Sequence, residues 1–301
     1  MYGPLIIAYL FLGGAAAGAL TVVSAWSLAL RRSRARNQLA ARALAVGASP
    51  ERIVAAFVAL RARVYVVGLA MLAFAMLCLL WDLGSPARAL LVFLRPHPTT
   101  LTFGAYTLAF ELALATLLTI ARLTGFPRLR ERTFAVLEAL CCAGGVATMA
   151  YTGVFLMGGA VAFWNTWALV GLFTLSSLSA GLSAVLLIDW LTQGRTPLLR
   201  AAKPLQRFHL ACLAVEAVFL ALFTVAACTN PDASGALALL AAPDMLPTAA
   251  IGVVGFGIIA PAALEIYSLT RTDCRTIPAA DVTCLTGCLI LRAVVIACGV
   301  H

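Results

Sequence analysis

The chain is 301 residues long, 63% hydrophobic, 11% charged and formally +9 at pH 7; its mean hydropathy is +1.01. Soluble globular chains are about half apolar and about a quarter charged, so this composition excludes a cytosolic enzyme, a disordered chain and a disulfide-stapled secreted domain. It predicts an all-α integral membrane protein: one transmembrane domain over residues 1–301, eight helical spans, and no space for a sizeable soluble domain.

In chain order the apolar runs are Leu5–Leu30, Val64–Leu80, Thr100–Ala121, Phe134–Leu156, Trp167–Leu191, Phe208–Cys228, Thr248–Thr270 and Thr283–Val300. They are too long and too continuous for barrel strands. The first run has neither a basic leader nor a cleavage site, so it reads as a mature span. The second helix is expected to begin early, because Ser49-Pro50-Glu51 supplies a cap, a first-turn proline and an early acid. That extension places Arg61 and Arg63 at the interface. Pro261 predicts a kink in span seven. Between spans six and seven, Ala236–Leu240 reads as a short interfacial helix. A four-plus-four bundle is expected.

The basic residues divide by loop. After span one come Arg31, Arg32, Arg34, Arg36, Arg42, Arg52, Arg61 and Arg63, and after span three Arg122, Arg128, Arg130 and Arg132. Arg195, Arg200, Lys203 and Arg207 follow span five, and Arg271 and Arg275 follow span seven. The opposite loops hold only Arg88 and Arg95. Such asymmetry places the rich side in the cytoplasm and both termini outside. It also makes the net charge a topology signal rather than a sign of nucleic-acid binding.

Several chemistries lack their residues. No span carries a histidine at its middle, as a membrane b-type haem requires, and no cysteine group suits an iron–sulfur cluster. The nine cysteines form no CxxC pair and read as small buried hydrophobes. Cys284 and Cys288 read as small residues on one helix face. No P-loop, dinucleotide fingerprint or HExxH is present. The expectation is a chain with no haem, no iron–sulfur cluster and no metal of its own.

Ionisable residues within spans are costly in lipid and are therefore functional candidates. These are Glu111, Glu138, Asp189, Glu216, Glu265 and Arg292. Glu138, Asp189 and Glu265 lie near the cytoplasmic ends, where a side chain can reach the interface. Arg292 admits two readings, a structural pair with a carboxylate or a place on a proton route. On the outer side stand Tyr9, Asp82, Tyr106 and Tyr151, while Trp164 and Trp167 read as an interfacial belt. Asp82, between an apolar helix and a Gly-Ser-Pro turn, does not read as a lipid anchor. Gly13, Gly14 and Gly18 form a small-residue face suited to close helix packing, and that face would also admit a flat ring.

At this point the motifs resemble a known family. Asp82-Leu83-Gly84-Ser85-Pro86-Ala87-Arg88, followed by Pro96-His97-Pro98-Thr99-Thr100-Leu101-Thr102-Phe103-Gly104-Ala105-Tyr106, resembles the DLG…P…GxY signature of the NrfD/PsrC polysulfide-reductase family. Tyr9 to Gly14 with Gly18, Tyr151-Thr152-Gly153, Phe173 to Gly181 and Leu291-Arg292 resemble that family's helices 1, 4, 5 and 8. The family's usual serine and methionine are replaced by Thr99, Leu101 and Thr102. The related DmsC-type anchors carry HLG where this chain has Asp82-Leu83-Gly84.

The resemblance implies a membrane subunit that binds menaquinone or ubiquinone near the outer face. Its partners would be a ferredoxin-like 4Fe–4S subunit on that face and a molybdopterin catalytic subunit. It implies Asp82 as the proton-exchanging residue, with Tyr9, Tyr151, His97 and Gly14 at the quinone. Glu111, Glu216, Glu265 and Arg292 would form a proton route. The alternatives are a passive DmsC-like anchor and a secondary ion or solute transporter.

Overall fold

A computed structural model describes residues 3–32, 37, 41, 49–82, 100–124, 131–159, 161–193, 203–270 and 277–299. Among them are eight helices long and apolar enough to cross a membrane, and no strand. The spans are α1 (Pro4–Leu30), α2 (Pro50–Asp82), α3 (Thr100–Leu123), α4 (Glu131–Met157), α5 (Trp167–Gln193), α6 (Lys203–Thr229), α7 (Met245–Thr270) and α8 (Pro278–Gly299). The early start of α2 matches the Ser49-Pro50 signal, with the Ser49 carbonyl accepting from Arg52 N–H at 3.1 Å. A short helix, Ser234–Leu240, occupies the connection between α6 and α7.

The helices form two groups of four. In the first, α1 packs on α2 and α4, and α3 on the same two. In the second, α5 packs on α6 and α8, and α7 joins α8 and α6. The seam is chiefly α1 against α5, with α4 against α5 beside it. Small residues make that seam possible. A side chain on Gly18 would strike the Ser177 carbonyl, and one on Gly181 would strike the backbone of Gly18 and Ala19. Lipid tails give helices no hydrophobic reason to associate, so backbone-to-backbone approach supplies the packing contact. α1 is accordingly buried almost all round, whereas α6 and α7 turn most of their surface outward. The apolar side chains that this leaves exposed, such as Phe74, Leu77, Val225 and Ile251, are what a lipid-facing surface requires.

α7 is not α-helical throughout. Thr248–Ile259 is wound as a π-helix, and α-helix resumes at Ala260. Proline has no N–H to give the preceding turn and clashes with the carbonyl four residues back. The change of winding falls immediately before Pro261, where that constraint acts.

Candidate functional site

At the Asp82 end, two buried tyrosines approach one another. Tyr9 of α1 is 4% exposed and Tyr151 of α4 is 3% exposed, and the two are within electrostatic reach. Tyr151 lies over Gly104 of α3, where any side chain would overlap its ring. Phe103 and Phe155 flank that ring at centroid distances of 6.3 and 5.9 Å. Asp82 closes α2 partly exposed, beside the start of α1: a Cβ on Gly3 would stand 3.3 Å from its Oδ1. Tyr9 lies six residues further along α1, a rise of roughly 9 Å. His97 lies outside the described residues, as does all of 83–99.

Two assignments change. Trp164 is not a belt residue: it is fully buried, and its Nε1–H donates to the Val295 carbonyl at 2.9 Å. Trp167, 73% exposed, keeps that role open. Gly14 does not face space for a ring, because a Cβ there would strike Ser177 Oγ and lie 3.1 Å from Arg292 Nη2. Its small size serves the α1–α5–α8 contact.

The second bundle contains a continuous line of polar groups. Arg292 is fully buried. Its Nε–H donates to the Leu10 carbonyl at 3.1 Å, Nη1 to the Cys288 carbonyl at 2.8 Å and Ser176 Oγ at 3.2 Å, and Nη2 to Ser177 Oγ at 2.7 Å. The rings of Phe11 and Phe173 flank the guanidinium at 5.9 and 5.4 Å. It forms no ion pair among the described residues. Glu216 is nevertheless within electrostatic reach of it, beside Ser176 and Ser179.

From Ser179 the line continues to His209 Nε2 at 2.9 Å and Cys284 Sγ at 3.2 Å. His209 Nδ1 meets Glu265 Oε1 at 2.5 Å. Asp281 completes a buried trio with these two, one ligand-type atom from each lying within 4.8 Å of the others. Those three would be the donors for a cation. Their hydrogen bonding already gives the imidazole a fixed carboxylate partner.

The first bundle holds a separate line. Glu111 of α3 is fully buried and accepts from Cys141 Sγ of α4 at 3.4 Å. Ser24 and Tyr65 hydrogen-bond at 2.9 Å between α1 and α2. Nearer the arginine end, Glu138 accepts from Ser27 at 2.9 Å and Arg122 at 2.6 Å. It also pairs with Arg31 at 3.3 Å and Arg61 at 3.8 Å. Glu138 is fully buried and Asp189 is 2% exposed, so both are enclosed by protein. Glu265 likewise stays inside, 2% exposed. The four proposed route residues therefore do not share one path. Glu216, Glu265 and Arg292 belong together, and Glu111 lies in the other bundle.

Sequence reasoning passed over His209 and Asp281. A signal existed: His209 and Glu216 are seven apart on α6, two turns on one face. Asp281, Cys284, Cys288 and Arg292 recur at three and four residues along α8, and Ser176, Ser179 and Ser183 do so along α5. Reading those stripes together identifies three polar faces turned toward one another.

Eight spans, two four-helix bundles joined by close glycine contacts, and buried charged residues within each bundle define a multi-pass membrane protein. The family model described as "Polysulphide reductase, NrfD" matches residues 1–301, the whole chain, and the protein belongs to that family. Among curated proteins none matches it.

Proposed function

We propose that this protein is the quinone-binding membrane subunit of a respiratory oxidoreductase. It exchanges electrons between menaquinone or ubiquinone and a ferredoxin-like 4Fe–4S subunit on the outer face, which relays to a molybdopterin catalytic subunit. It sits in the cytoplasmic membrane with its arginine end inside. The observation that supports this reading is the approach of two buried tyrosines from different helices, Tyr9 and Tyr151, at the end that Asp82 closes.

The chemistry fits those residues. Reducing a quinone to its quinol takes two electrons from the partner's cluster and two protons, and oxidation returns both. The Tyr9 and Tyr151 hydroxyls hydrogen-bond to the ring oxygens, where buried donors are stronger than in water. Phe103 and Phe155 supply flat apolar contact. Asp82, partly exposed at the helix end, exchanges the protons.

The test is Asp82→Asn in the assembled complex. The variant keeps its partner subunits and their reduction by an artificial donor, but loses electron flow to or from quinol. Flow at the normal rate removes Asp82 from the chemistry.

The line through Asp281, Glu265, His209, Ser179 and Glu216 toward Arg292 is the proton route of this reading, making turnover electrogenic. Imidazole, carboxyl and hydroxyl groups can each accept one proton and release another. Glu265→Gln in proteoliposomes lowers protons moved per electron while quinone turnover persists. An unchanged ratio excludes the line.

A further inference from the structure

The arginine end of the first bundle contains a cavity of about 480 Å³ that the redox chemistry does not use. Its polar side is Arg31, Arg61 and Arg122 with Ser27 and Glu131, and its apolar side includes Val54, Phe57 and Val58. We infer that this cavity binds an anionic phospholipid, with the phosphodiester at the three guanidiniums and the acyl chains along Val54 and Val58.

Charge is the first reason. Three guanidiniums face two carboxylates, and these differ in kind. Glu138 is fully buried and holds all three arginines. Glu131, at 2.7 Å from Arg31, is 83% exposed and belongs to the rim. Among the described residues, counting both acids still leaves one positive charge, which is the charge a single phosphodiester neutralises. The second reason is unused donor capacity: among the described residues, the Nε–H groups of Arg31, Arg61 and Arg122 are all buried without a hydrogen-bond partner. Guanidinium presents a planar fork of donors suited to phosphate oxygens.

The third reason separates a lipid from a free anion. Val54 and Val58 are 47% and 48% exposed, four residues apart and thus on one face of α2. They border the cationic pocket at the end of a membrane span. Inorganic phosphate would use the arginines and leave that apolar wall unexplained. A phospholipid places phosphate and acyl chain side by side, as the cavity places arginine and valine. Basic pockets between spans on the positively charged side are suited to anionic headgroups.

The experiment uses the purified full-length chain in nanodiscs of phosphatidylcholine, with or without added phosphatidylglycerol. Thermal unfolding is followed in each, and native mass spectrometry reads retained lipid. Phosphatidylglycerol is expected to raise the unfolding temperature and to stay bound, while inorganic phosphate added to phosphatidylcholine discs does neither. Val58→Trp, which fills the apolar side without touching charge, abolishes the rise. Arg61→Gln weakens phosphatidylglycerol retention about fivefold, the effect of one arginine charge near the membrane surface. Equal unfolding temperatures in the two lipids overturn the inference. So does a rise produced by inorganic phosphate alone, or one that survives in Val58→Trp.

Discussion

The two bundles handle buried charge in opposite ways. In α1–α4, the carboxylate of Glu138 is surrounded by Arg31, Arg61 and Arg122, full charges locked to one another. In α5–α8, the guanidinium of Arg292 has no acid in contact and is held by two serine hydroxyls and two carbonyls. Two acids of that bundle, Glu265 and Asp281, gather instead about His209. Fixed ion pairs resist rearrangement, because moving either partner leaves a bare charge at low dielectric. Neutral hydroxyls, a thiol and an imidazole can rotate or exchange a proton without stranding one. The arginine end of the first bundle is thereby built for permanence, whereas the groups lining the second bundle are free to rearrange.

Removing the central acid tests that contrast most severely. Glu138→Ala leaves three arginines together at a buried site and is expected to cost about 4 kcal/mol, as breaking a buried pair does. Thermal unfolding of the purified chain measures it, and a near-neutral result would erase the distinction between the bundles. Arg292→Met should cost less, about 2 kcal/mol, since it strands only neutral hydroxyls and carbonyls. Its unfolding temperature should therefore fall between those of wild type and Glu138→Ala. A loss as large as that of Glu138→Ala would mean that Arg292 is an ordinary structural charge. The smallest effect belongs to a contact outside both lines. Trp164→Phe keeps the ring packed but loses the bond to Val295, worth about 1 kcal/mol in thermal unfolding.

Much of this was legible in the sequence, and what was not has a common cause. Eight spans, the early start of α2 and the short helix at Ser234–Leu240 follow from local signals: apolar length, a cap, a proline. The close-packing face of α1 at Gly13, Gly14 and Gly18 also follows, because small residues are informative where lipid surrounds the helices. Which helix meets which is not local. Glu111 and Glu216 look alike in sequence, each a lone acid in an apolar run, yet they belong to different bundles. Trp164 sits beside Trp167 in a loop-like stretch, but the Gly299 end of α8 encloses one and not the other: a side chain on Gly299 would overlap the Trp164 ring. In lipid an apolar face is as suitable outside as inside, so hydrophobic patterning says little about rotation. Only the spacing of polar residues along α5, α6 and α8 carried that information, and it had to be read across three helices at once.

The wide winding of Thr248–Ile259 gives α7 a property the other spans lack. A π-turn holds one residue more than an α-turn between its hydrogen-bonded partners, so this stretch carries slack in its register. Deleting one residue there can be absorbed by tightening a turn, with Glu265 still opposite His209. The same deletion in α1 would swing Gly18 away from Gly181 and part the two bundles. Chain length is thus negotiable in one helix of this protein and fixed in the helix at its centre.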